Sequence, residues 1–535
     1  MVSGCGCRDP SGYLAPRLVA SSRSATRTRR HAERPGAGFA GGGRRRRCDV
    51  ARNRHHRGWS RGPCDGAQLR AAGVTSFRIV EKSDGVGGTW RDNSYPGAAC
   101  DVPSHLYSLS FASWGRWSRK FAPQPEILRY FEWVADRFGL RDHIETNREV
   151  ASLDYDDGSQ RWRIGFVTGE VEYADIVVSA LGQLNRPFVP EIAGRDRFAG
   201  EQFHSARWRR DVDLVDRDIA VIGNGASAVQ FVPEVAKVAR SLTVFQRSAN
   251  WIIPKPDRPY RRIERRLLEQ VPPARRLHRW WIYWRLEANV SLMRSGSLLG
   301  RLIERRVSSE LGKLVSPRLS AEALIPDYSP GCKRLLISND YYATLLRPNV
   351  SVTTSPVREI AADAIVTEDG VAHTCDLLIW GTGFRASEFL APIAVSGPQG
   401  RRLSDAWSEG ARAHLGMAIE GFPNLFLLYG PNTNLGHNSI LFMIEAQVRL
   451  IVQLVDVMVR ERRTSVEVDP LAFEASNRDV RERLAASVWA TGCESWYKNA
   501  AGTITNNWPG STLAYWRRLR TARANDWRFS GRAGR

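Results

Sequence analysis

A glycine-rich turn between two apolar segments is the first place where residue types and spacing suggest chemistry. The turn consists of Gly223, Asn224, Gly225, Ala226, Ser227 and Ala228. An apolar run precedes it, and a helical pattern and a second apolar run follow it, so the segment predicts a strand–helix–strand unit. In such a unit Gly223 permits the tight turn, Gly225 lets a pyrophosphate approach the backbone, and Ala228 keeps helix and strand close. The helix N-terminus then faces the anion.

Gln246 and Arg247 follow the second strand of this unit. An NAD-binding unit carries Asp or Glu at this point to hold the ribose 2′-hydroxyl. A guanidinium suits a 2′-phosphate instead, because it can donate two parallel hydrogen bonds to phosphate oxygens. The sequence therefore predicts NADPH rather than NADH. The competing interpretation, a glycine-rich turn in an unrelated α/β protein, is disfavoured by the flanking strands and helix.

Length and composition limit the class of protein. A chain of 535 residues is long enough for two or three domains. The most apolar stretch, residues 450–459, contains Gln453 and Asp456, so we expect a soluble protein without an integral membrane segment. No apolar signal-peptide region follows Met1, and the eight cysteines show no metal-binding spacing. These features favour a cytoplasmic protein without a metal.

The net charge of +21 is distributed unevenly. Residues 1–65 contain fifteen arginines, no lysine and four acidic residues, which supply +11 of the total. A basic protein of this kind would ordinarily suggest a nucleic-acid partner, but here the excess belongs to one segment without a hydrophobic period. We therefore predict no nucleic-acid partner.

The residues after this segment resemble the second half of another dinucleotide-binding unit, with a helix end at Gly73, a strand at residues 77–80 and then Glu81 in the ribose-binding position. Gly223 and Arg247 are 24 positions apart, and the same interval before Glu81 ends at residue 57, which is Arg. Codons permitted for residues 53–65, read one base later, can spell Ile-Val-Ile-Ile-Gly-Ala-Gly-Leu-Gly-Gly-Leu-Ala-Met, with the first glycine at position 57. Our hypothesis is that residues 1–65 are a wrong-frame translation of a complete FAD motif; a genuine Arg-rich tail is the alternative.

Several further motifs together resemble one enzyme family. They are Glu81-Lys82, Gly85-Val86-Gly87-Gly88-Thr89-Trp90, the run Tyr-Pro-Gly-Ala-Ala-Cys-Asp-Val-Pro-Ser-His-Leu-Tyr-Ser at residues 95–108, and a spaced motif of Phe198, Gly200, His204 and Trp208. From about residue 66 to residue 516 the chain resembles the Baeyer–Villiger monooxygenases. The spaced motif is specific, because related flavin monooxygenases that oxidise heteroatoms usually end it in Tyr. Arg209 departs from the family, which usually has Pro or Asp there.

The resemblance implies an activity. Enzymes of this family use FAD, NADPH and O₂ to convert a ketone into an ester or lactone through a C4a-peroxyflavin. The family's catalytic arginine lies in a Lys-Arg pair followed by Tyr-Tyr, which matches Lys333-Arg334 and the later Tyr341-Tyr342. The resemblance therefore implies that Arg334 is the catalytic cation and that Asp101 orients it. Lys333 would be a second phosphate contact for NADPH.

The expected binding residues follow from the motifs and from the resemblance. Those for the cofactors are Glu81, Gly87, Gly88, Thr89, Trp90, Cys100, Asp101, Tyr107, Gly223, Asn224, Gly225, Ala226, Ser227, Ala228, Gln246, Arg247, Lys333, Arg334 and Trp496. The motif of Phe198, Gly200, His204 and Trp208 would couple the motion of two domains, and His204 is given no chemical step.

The expected fold class is α/β, with two Rossmann-like dinucleotide-binding domains and a helical insertion. The predicted division is an anomalous segment at 1–65, FAD-binding parts at 66–186 and 369–535, and an NADPH-binding domain at 187–368 with the insertion at 261–306. The insertion is rich in Arg and carries Trp280, Trp281 and Trp284. A cap over the active site with solvated charges is favoured over a membrane-surface helix.

Two other functions remain open at this point. One is a flavin monooxygenase that oxidises nitrogen or sulfur atoms. The other is a non-catalytic chain, if the missing first glycine motif is genuine. The expected partners are a small ketone and O₂, and the sequence specifies no oligomeric state.

Overall fold

The computed structural model describes residues 53–56, 62–493, 495–522 and 524–531, with the backbone alone for residues 53–56, 62 and 63. The Arg-rich residues before position 53, and position 57 where the first glycine is expected, lie outside the described residues. The chain divides into two units, Met1–Asp49 and Val50–Arg535, and the description below concerns the second.

The strands, in chain order, are β1 (Asn53–His56), β2 (Phe77–Val80), β3 (Ile144–Glu145), β4 (Val150–Asp156), β5 (Arg161–Phe166), β6 (Val171–Ala174), β7 (Ile176–Ser179), β8 (Glu201–His204), β9 (Asp218–Ile222), β10 (Ser241–Phe245), β11 (Ile252–Ile253), β12 (Leu336–Ile337), β13 (Val350–Thr353), β14 (Val357–Ile360), β15 (Ala364–Thr367), β16 (Ala372–Thr374), β17 (Leu377–Trp380), β18 (Ala394–Ser396), β19 (Leu425–Leu427), β20 (Ser465–Val468) and β21 (Trp527–Ser530).

The helices are α1 (Gly62–Ala71), α2 (Thr89–Asp92), α3 (Gln124–Arg137), α4 (Ala226–Val235), α5 (Arg262–Gln270), α6 (Pro272–Glu287), α7 (Leu298–Gly312), α8 (Ala321–Leu324), α9 (Tyr341–Leu345), α10 (Leu403–Ala406), α11 (Ile440–Glu461), α12 (Pro470–Ala485) and α13 (Thr512–Arg520). Local sequence explains several of their ends. For example, α12 begins where the Asp469 carboxylate accepts hydrogen bonds from the Leu471 and Ala472 amides, and Pro470 occupies its first turn.

The first large sheet is parallel and has the strand order β19-β7-β1-β2-β3. Its strand β7 alternates between two cores, because Ile176 and Val178 pack into one hydrophobic cluster and Val177 packs into another. Helix α11 covers one side with a buried face that includes Ile444, Val448 and Ile451. The sheet is therefore covered on both faces, as a parallel sheet of a dinucleotide-binding domain should be.

The second large sheet is also parallel, with the order β13-β10-β9-β17-β8. The predicted pair of dinucleotide-binding sheets is thus present. The predicted boundary at residue 369 is wrong, because β17 pairs with β9 in the second sheet rather than returning to the first. A buried apolar strand fits either sheet, and pairing with β9 and β8 decides its place.

Smaller sheets account for the remaining β-structure. A four-stranded sheet has the order β18-β4-β5-β6, and a three-stranded antiparallel sheet has the order β14-β15-β16. The segment around Trp162 forms β5 of the four-stranded sheet, whereas the following apolar strand β7 belongs to the first sheet. The alternating burial of β5 suits a small sheet with one face on the core.

The predicted insertion at 261–306 is helical and consists of α5, α6 and α7, the last continuing to Gly312. The expectation that its charges are solvated holds only in part. Arg279 points inward, where its Nη1 donates to the carbonyl oxygens of His105 and Ser108 at 2.8 Å each. Its tryptophans lie on the outer side and are half exposed.

Cys332 and Cys493 form a disulfide, with Cα atoms 6.3 Å apart across 161 residues of sequence. The scattered cysteine spacing did not indicate this pairing, because the tertiary fold alone brings the two residues together. Among the described helices, none has the length and the apolarity needed to cross a bilayer. Among the same described residues there is no cluster of metal-ligating side chains.

Candidate active site

Arg334 and Asp101 form an ion pair where the two dinucleotide-binding domains meet. Arg334 lies in the loop before β12, and its Nη2 donates to Asp101 Oδ2 at 3.1 Å. The two side chains are 33% and 19% exposed, so the pair is accessible from a cleft but shielded from bulk water. Burial alone would lower the pKa of Arg334, but Asp101, Tyr497 and Tyr429 hold it above its ordinary value. The guanidinium is therefore a permanent positive charge.

Gln230, on α4 of the second domain, fixes the loop that carries Asp101. Its Nε2 donates to the Ala99 carbonyl oxygen at 3.0 Å and approaches Asp101 Oδ1 at 3.4 Å, while its Oε1 accepts from the Tyr95 hydroxyl at 3.2 Å. Gly97 permits this packing, because its φ is +78° and a Cβ there would lie 2.5 Å from the Gln230 carbonyl oxygen. Sequence reasoning missed Gln230, since nothing in a helical glutamine indicates a partner in another domain.

The segment around Trp496 lies beside the same arginine. The Trp496 ring packs against Tyr497 in a tilted arrangement with centroids 4.4 Å apart, and Tyr497 is 2% exposed. Tyr497 interacts electrostatically with Arg334 and contributes to the raised pKa of this arginine. The disulfide joins Cys493, just before this segment, to Cys332, just before the Lys333-Arg334 pair. Trp496 therefore packs on a residue that neighbours Arg334, and its contact with NADP stays a prediction.

The glycine-rich turn has the geometry that a pyrophosphate requires. Gly223 has φ of +106°, and a Cβ there would lie 2.5 Å from the Gly381 carbonyl oxygen, so only glycine fits. A Cβ on Gly225 would meet no described atom within 4 Å, which leaves open space at the N-terminus of α4. Ala226 and Ser227 begin that helix, and Ala228 is fully buried below it. The backbone amides of the turn are therefore placed to face an anion.

Arg247 lies beyond this turn, is exposed, and makes no ion pair with any residue that the structure describes. Asn224 supports the segment, because its Nδ2 donates to Gln246 Oε1 and to the Ser248 carbonyl oxygen at 2.8 Å each. Lys333 Nζ donates to the Ser248 hydroxyl at 2.8 Å, so this second cation lies beside the segment that carries Arg247. The Asn224 and Gln246 side chains are engaged in hydrogen bonds within the protein, and these bonds hold the loop in position.

The turn that follows β2 and Glu81 in the first domain carries a second set of polar groups. Gly87 needs its lack of a side chain, because φ is +126° and a Cβ would lie 2.4 Å from Leu128 Cδ1. Thr89 follows Gly88 and begins α2. Its hydroxyl is buried and has no hydrogen-bond partner among the described residues. Trp90 Nε1 donates to the Tyr107 hydroxyl at 2.9 Å.

Glu81 lies at the carboxyl end of β2, where the ribose-binding residue is expected. It is 2% exposed and its Oε1 accepts from the Ser83 amide at 2.8 Å. Cys100 is buried beside Asp101, and burial raises the pKa of its thiol to about 12. An uncharged thiol at this position can pack against a cofactor but is a poor nucleophile.

Comparisons with known proteins agree with this geometry. The family model described as pyridine nucleotide-disulphide oxidoreductase matches residues 66–272. A Baeyer–Villiger monooxygenase of Streptomyces coelicolor is 41% identical over 456 residues, which cover 85% of this chain and 88% of the relative. The chain belongs to the Baeyer–Villiger monooxygenase family.

Solved structures support the same conclusion for this monooxygenase. The closed crystal structure of cyclohexanone monooxygenase matches with a TM-score of 0.82 and 26% identity, over 90% of this chain and 99% of that one. The structure of OTEMO in complex with FAD and NADP matches with a TM-score of 0.82 and 27% identity, over 90% and 99% of the two chains. The chain is an FAD-dependent, NADPH-using monooxygenase of the Baeyer–Villiger type.

The residues present fit both cofactors. The buried Thr89 hydroxyl and the turn at Gly87 offer donors to the phosphates of FAD, and the open space at Gly225 admits the phosphates of NADPH. Arg247 offers a guanidinium to a 2′-phosphate. Each of these groups was predicted from the sequence.

The motif that ends in Trp208 forms the junction of β8 with the second sheet. Phe198 and His204 are 7% and 6% exposed, and a Cβ on Gly200 would lie 2.4 Å from the Asp376 carbonyl oxygen. His204 Nδ1 accepts from the Ala206 amide at 3.0 Å, and burial lowers the pKa of His204 to about 4. The imidazole is neutral at neutral pH. The Trp208 ring packs 5.4 Å from Phe231 of α4.

Glu287, at the end of α6, is a second residue that sequence reasoning missed. It is 6% exposed, and its Oε2 accepts from Asn438 Nδ2 at 2.6 Å and from Thr512 Oγ1 at 2.8 Å. His437 Nε2 lies 3.3 Å from the same oxygen. Burial acts to raise the pKa of Glu287, but hydrogen bonds from His437, Thr512 and Asn438 bring it to about 2. This carboxylate ties the insertion to the loop before α11 and to α13.

Proposed function

We propose that this monooxygenase inserts oxygen next to the carbonyl of a small ketone, with Arg334 as its catalytic residue and Asp101 as the group that orients it. One observation carries the proposal: the Arg334–Asp101 pair, 3.1 Å long and one-third exposed at the arginine, lies between the two cofactor-binding domains. A cation placed there can meet both cofactors and a substrate. The product would be an ester or a lactone.

FAD would supply the activation of O₂ and NADPH the reducing hydride. Arg334 would stabilise the negative charge that develops on oxygen during insertion, since a fixed cation in a shielded site costs little reorganisation. Asp101 would keep the guanidinium aimed into the cleft. Gln230 would in turn hold Asp101, so that a residue of the NADPH-binding domain controls a group of the FAD-binding domain.

We further propose that Arg247 and Lys333 bind the 2′-phosphate of NADPH together. The Ser248 hydroxyl, which accepts from Lys333 Nζ, follows Arg247 directly in the chain. Two cations that converge on one exposed segment suit a dianionic phosphate better than a ribose hydroxyl. Trp496 would close over the same cofactor from the C-terminal region.

The proposed FAD site includes residues 53–65 in the shifted reading. Strand β1, at residues 53–56, occupies the middle of the first sheet between β7 and β2. The shifted reading places Ile-Val-Ile-Ile at these positions and its first glycine at 57, which is the arrangement that the second domain shows at β9. We therefore propose that the functional enzyme carries the shifted sequence there. Resequencing the locus tests this, and an upstream frame without a strand and glycine motif would refute it.

The activity is tested with a restored chain, in which residues 53–65 are replaced by the shifted reading. We expect NADPH consumption coupled to ester formation with one or more members of a ketone panel. A matched panel of thioethers and amines tests the alternative flavin monooxygenase activity. Oxidation of heteroatoms without any ester from any ketone would reject the proposal.

We also propose a cytoplasmic location. Cys100 and Cys375 are free and buried, which fits a reducing compartment, whereas the Cys332–Cys493 disulfide is of a kind that is rare there. Fractionation of cells that express the tagged protein tests this location. Recovery of the protein only from a secreted fraction would contradict it.

A further inference from the structure

Helix α6 carries an apolar stripe on its outer side. The stripe consists of Leu277, Trp280, Trp281 and Trp284, whose spacing of three and four residues places them on one face of the helix. These residues are between 42% and 65% exposed. Three large aromatic side chains exposed together mark an interaction site more often than an ordinary surface.

The opposite face of α6 fixes this orientation. Arg275 Nη1 donates to the Leu268 carbonyl oxygen at 2.8 Å, and Arg279 Nη1 donates to the carbonyl oxygens of His105 and Ser108. Ile282 is 5% exposed on the same side. The arginines therefore serve as the inner face, and the tryptophans cannot turn inward unless these bonds break.

The preceding helix α5 packs against α6 and repeats the pattern. Ile263 and Leu267, one turn apart, are 82% and 49% exposed, whereas Leu268 is 6% exposed. Arg262, Arg265 and Arg266 flank the exposed pair. Each of the two helices thus presents aliphatic or aromatic side chains between arginines.

The charge of this region is strongly positive. Residues 261–306 contain twelve arginines and four glutamates. Three of the glutamates are already engaged: Glu264 with Arg258 at 2.6 Å, Glu269 with Arg116 at 3.0 Å, and Glu287 in the buried network. The exposed arginines Arg262, Arg265, Arg266 and Arg276 form no ion pair with any residue in the described part of the chain.

The sequence favours a cap with solvated charges, but the tryptophans of α6 are 42% to 59% exposed, so we propose instead that the outer faces of α5 and α6 bind an anionic lipid surface. The tryptophan, leucine and isoleucine side chains would enter the boundary between headgroups and acyl chains, and the arginines would bind lipid phosphates. A second copy of this chain is a poorer occupant, because it would bring the same positive charges together. A nucleic acid could bind the arginines and stack on the tryptophans, but it would not provide an apolar environment for Ile263, Leu267 and Leu277.

Vesicle flotation of the full chain tests this proposal. The probes are vesicles of phosphatidylcholine alone and vesicles of phosphatidylcholine mixed with phosphatidylglycerol. The protein should float with the mixed vesicles, and added salt should weaken its binding. The double variant Trp280→Ser, Trp284→Ser should bind the mixed vesicles more weakly than the parent chain by about tenfold or more. The control Leu471→Ser, at a residue that is 80% exposed on α12, should bind as the parent chain does.

Other results would overturn the proposal. Residues 1–65 carry a charge of +11, so equal flotation of the parent and the tryptophan variant would assign binding to that segment instead. Equal binding to both kinds of vesicle, or to neither, would contradict an anionic lipid partner. A parent chain that is dimeric and a tryptophan variant that is monomeric, neither of which floats, would identify a second copy as the occupant. Loss of flotation in competition with single-stranded DNA, together with tighter binding to that DNA, would identify a nucleic acid.

Discussion

The two dinucleotide-binding sheets are both parallel and five-stranded, but their central strands carry opposite kinds of residues. Strand β9 reads Asp-Ile-Ala-Val-Ile, and Ile219, Ala220, Val221 and Ile222 are at most 8% exposed. Strand β1 reads Asn-Arg-His-His at the equivalent central position. Residues of these polar types are unsuited to a strand in the middle of a parallel sheet that is covered on both faces.

Strands β9 and β7 show which residue types a central strand of such a sheet requires. Ile219 and Val221 pack into one cluster and Ala220 and Ile222 into another, so both faces of the second sheet are covered. Strand β7, next to β1, divides its side chains between two clusters in the same way. A charged or strongly polar side chain between two such layers would lose its hydration without a built-in partner. The comparison favours the shifted reading of residues 53–65.

The largest expected effect comes from giving the first dinucleotide-binding domain the same kind of strand and glycine-rich turn that the second domain has. Replacing residues 53–65 by the shifted reading should raise the flavin content from near zero to about one per chain, because the restored turn can bind the FAD pyrophosphate. The measurement is flavin absorbance of the purified protein. The same replacement with Arg kept at position 57 is the control and should remain colourless. Full flavin content in the chain as written would show that the two repeats already work alike.

Arg334→Ala in the restored chain should give the next largest loss. Removal of the fixed cation should cost about 3 kcal/mol of stabilisation, or roughly 100-fold or more in oxygenation. NADPH should still reduce the flavin, and O₂ should then reoxidise the flavin without forming product and be reduced to hydrogen peroxide. Stopped-flow reduction and ester formed per NADPH separate the two steps. Asp101→Ala should show a milder form of the defect, and normal coupling in Arg334→Ala would make the pair an ordinary solvated one.

Arg247→Ala sharpens the comparison from the side of the second repeat. Loss of a charged, bidentate contact costs about 2 kcal/mol, so the KM for NADPH should rise roughly 30-fold while that for NADH changes little. Arg240→Ala is the matched control, because Arg240 precedes β10 whereas Arg247 follows it. Equal changes for both cofactors in Arg247→Ala would refute the assignment.

The smallest expected effect concerns the contact between the two dinucleotide-binding domains, which Gln230 makes with the loop that carries Asp101. Gln230→Ala removes the Nε2 donor beside Asp101, which should cost about 1 kcal/mol and lower ester formed per NADPH roughly fivefold. Flavin content and the rate of flavin reduction should stay unchanged. Tyr95→Phe removes only the hydroxyl that donates to Gln230 Oε1 and is the control. Equal coupling in both variants and the parent would show that Gln230 has only a structural role.

Local patterns were sufficient for much of the fold and the site. Gly223 and its flanking strands predicted the second dinucleotide-binding unit, and Asp101 was expected to orient Arg334, which it contacts at 3.1 Å. These features depend on residues that are close in sequence or on motifs that the family shares. Their roles in catalysis and binding stay predictions.

Features that depend on tertiary neighbours could not be predicted. Strand β17 has the apolar run of any buried strand, and only its pairing with β9 assigns it to the second sheet. Gln230 meets Asp101 from 129 residues away, and Cys332 meets Cys493 from 161. In each case the residue type alone fits many environments.

Mass spectrometry after turnover in oxygen-18 gas tests the central claim most directly. The restored chain, supplied with NADPH and a ketone that it converts, should give an ester or lactone that contains one oxygen-18 atom, in the newly inserted position beside the carbonyl. The original carbonyl oxygen should remain unlabelled. An ester without the label, or label found only in hydrogen peroxide or in an oxidised heteroatom, would contradict Baeyer–Villiger oxygen insertion by this chain.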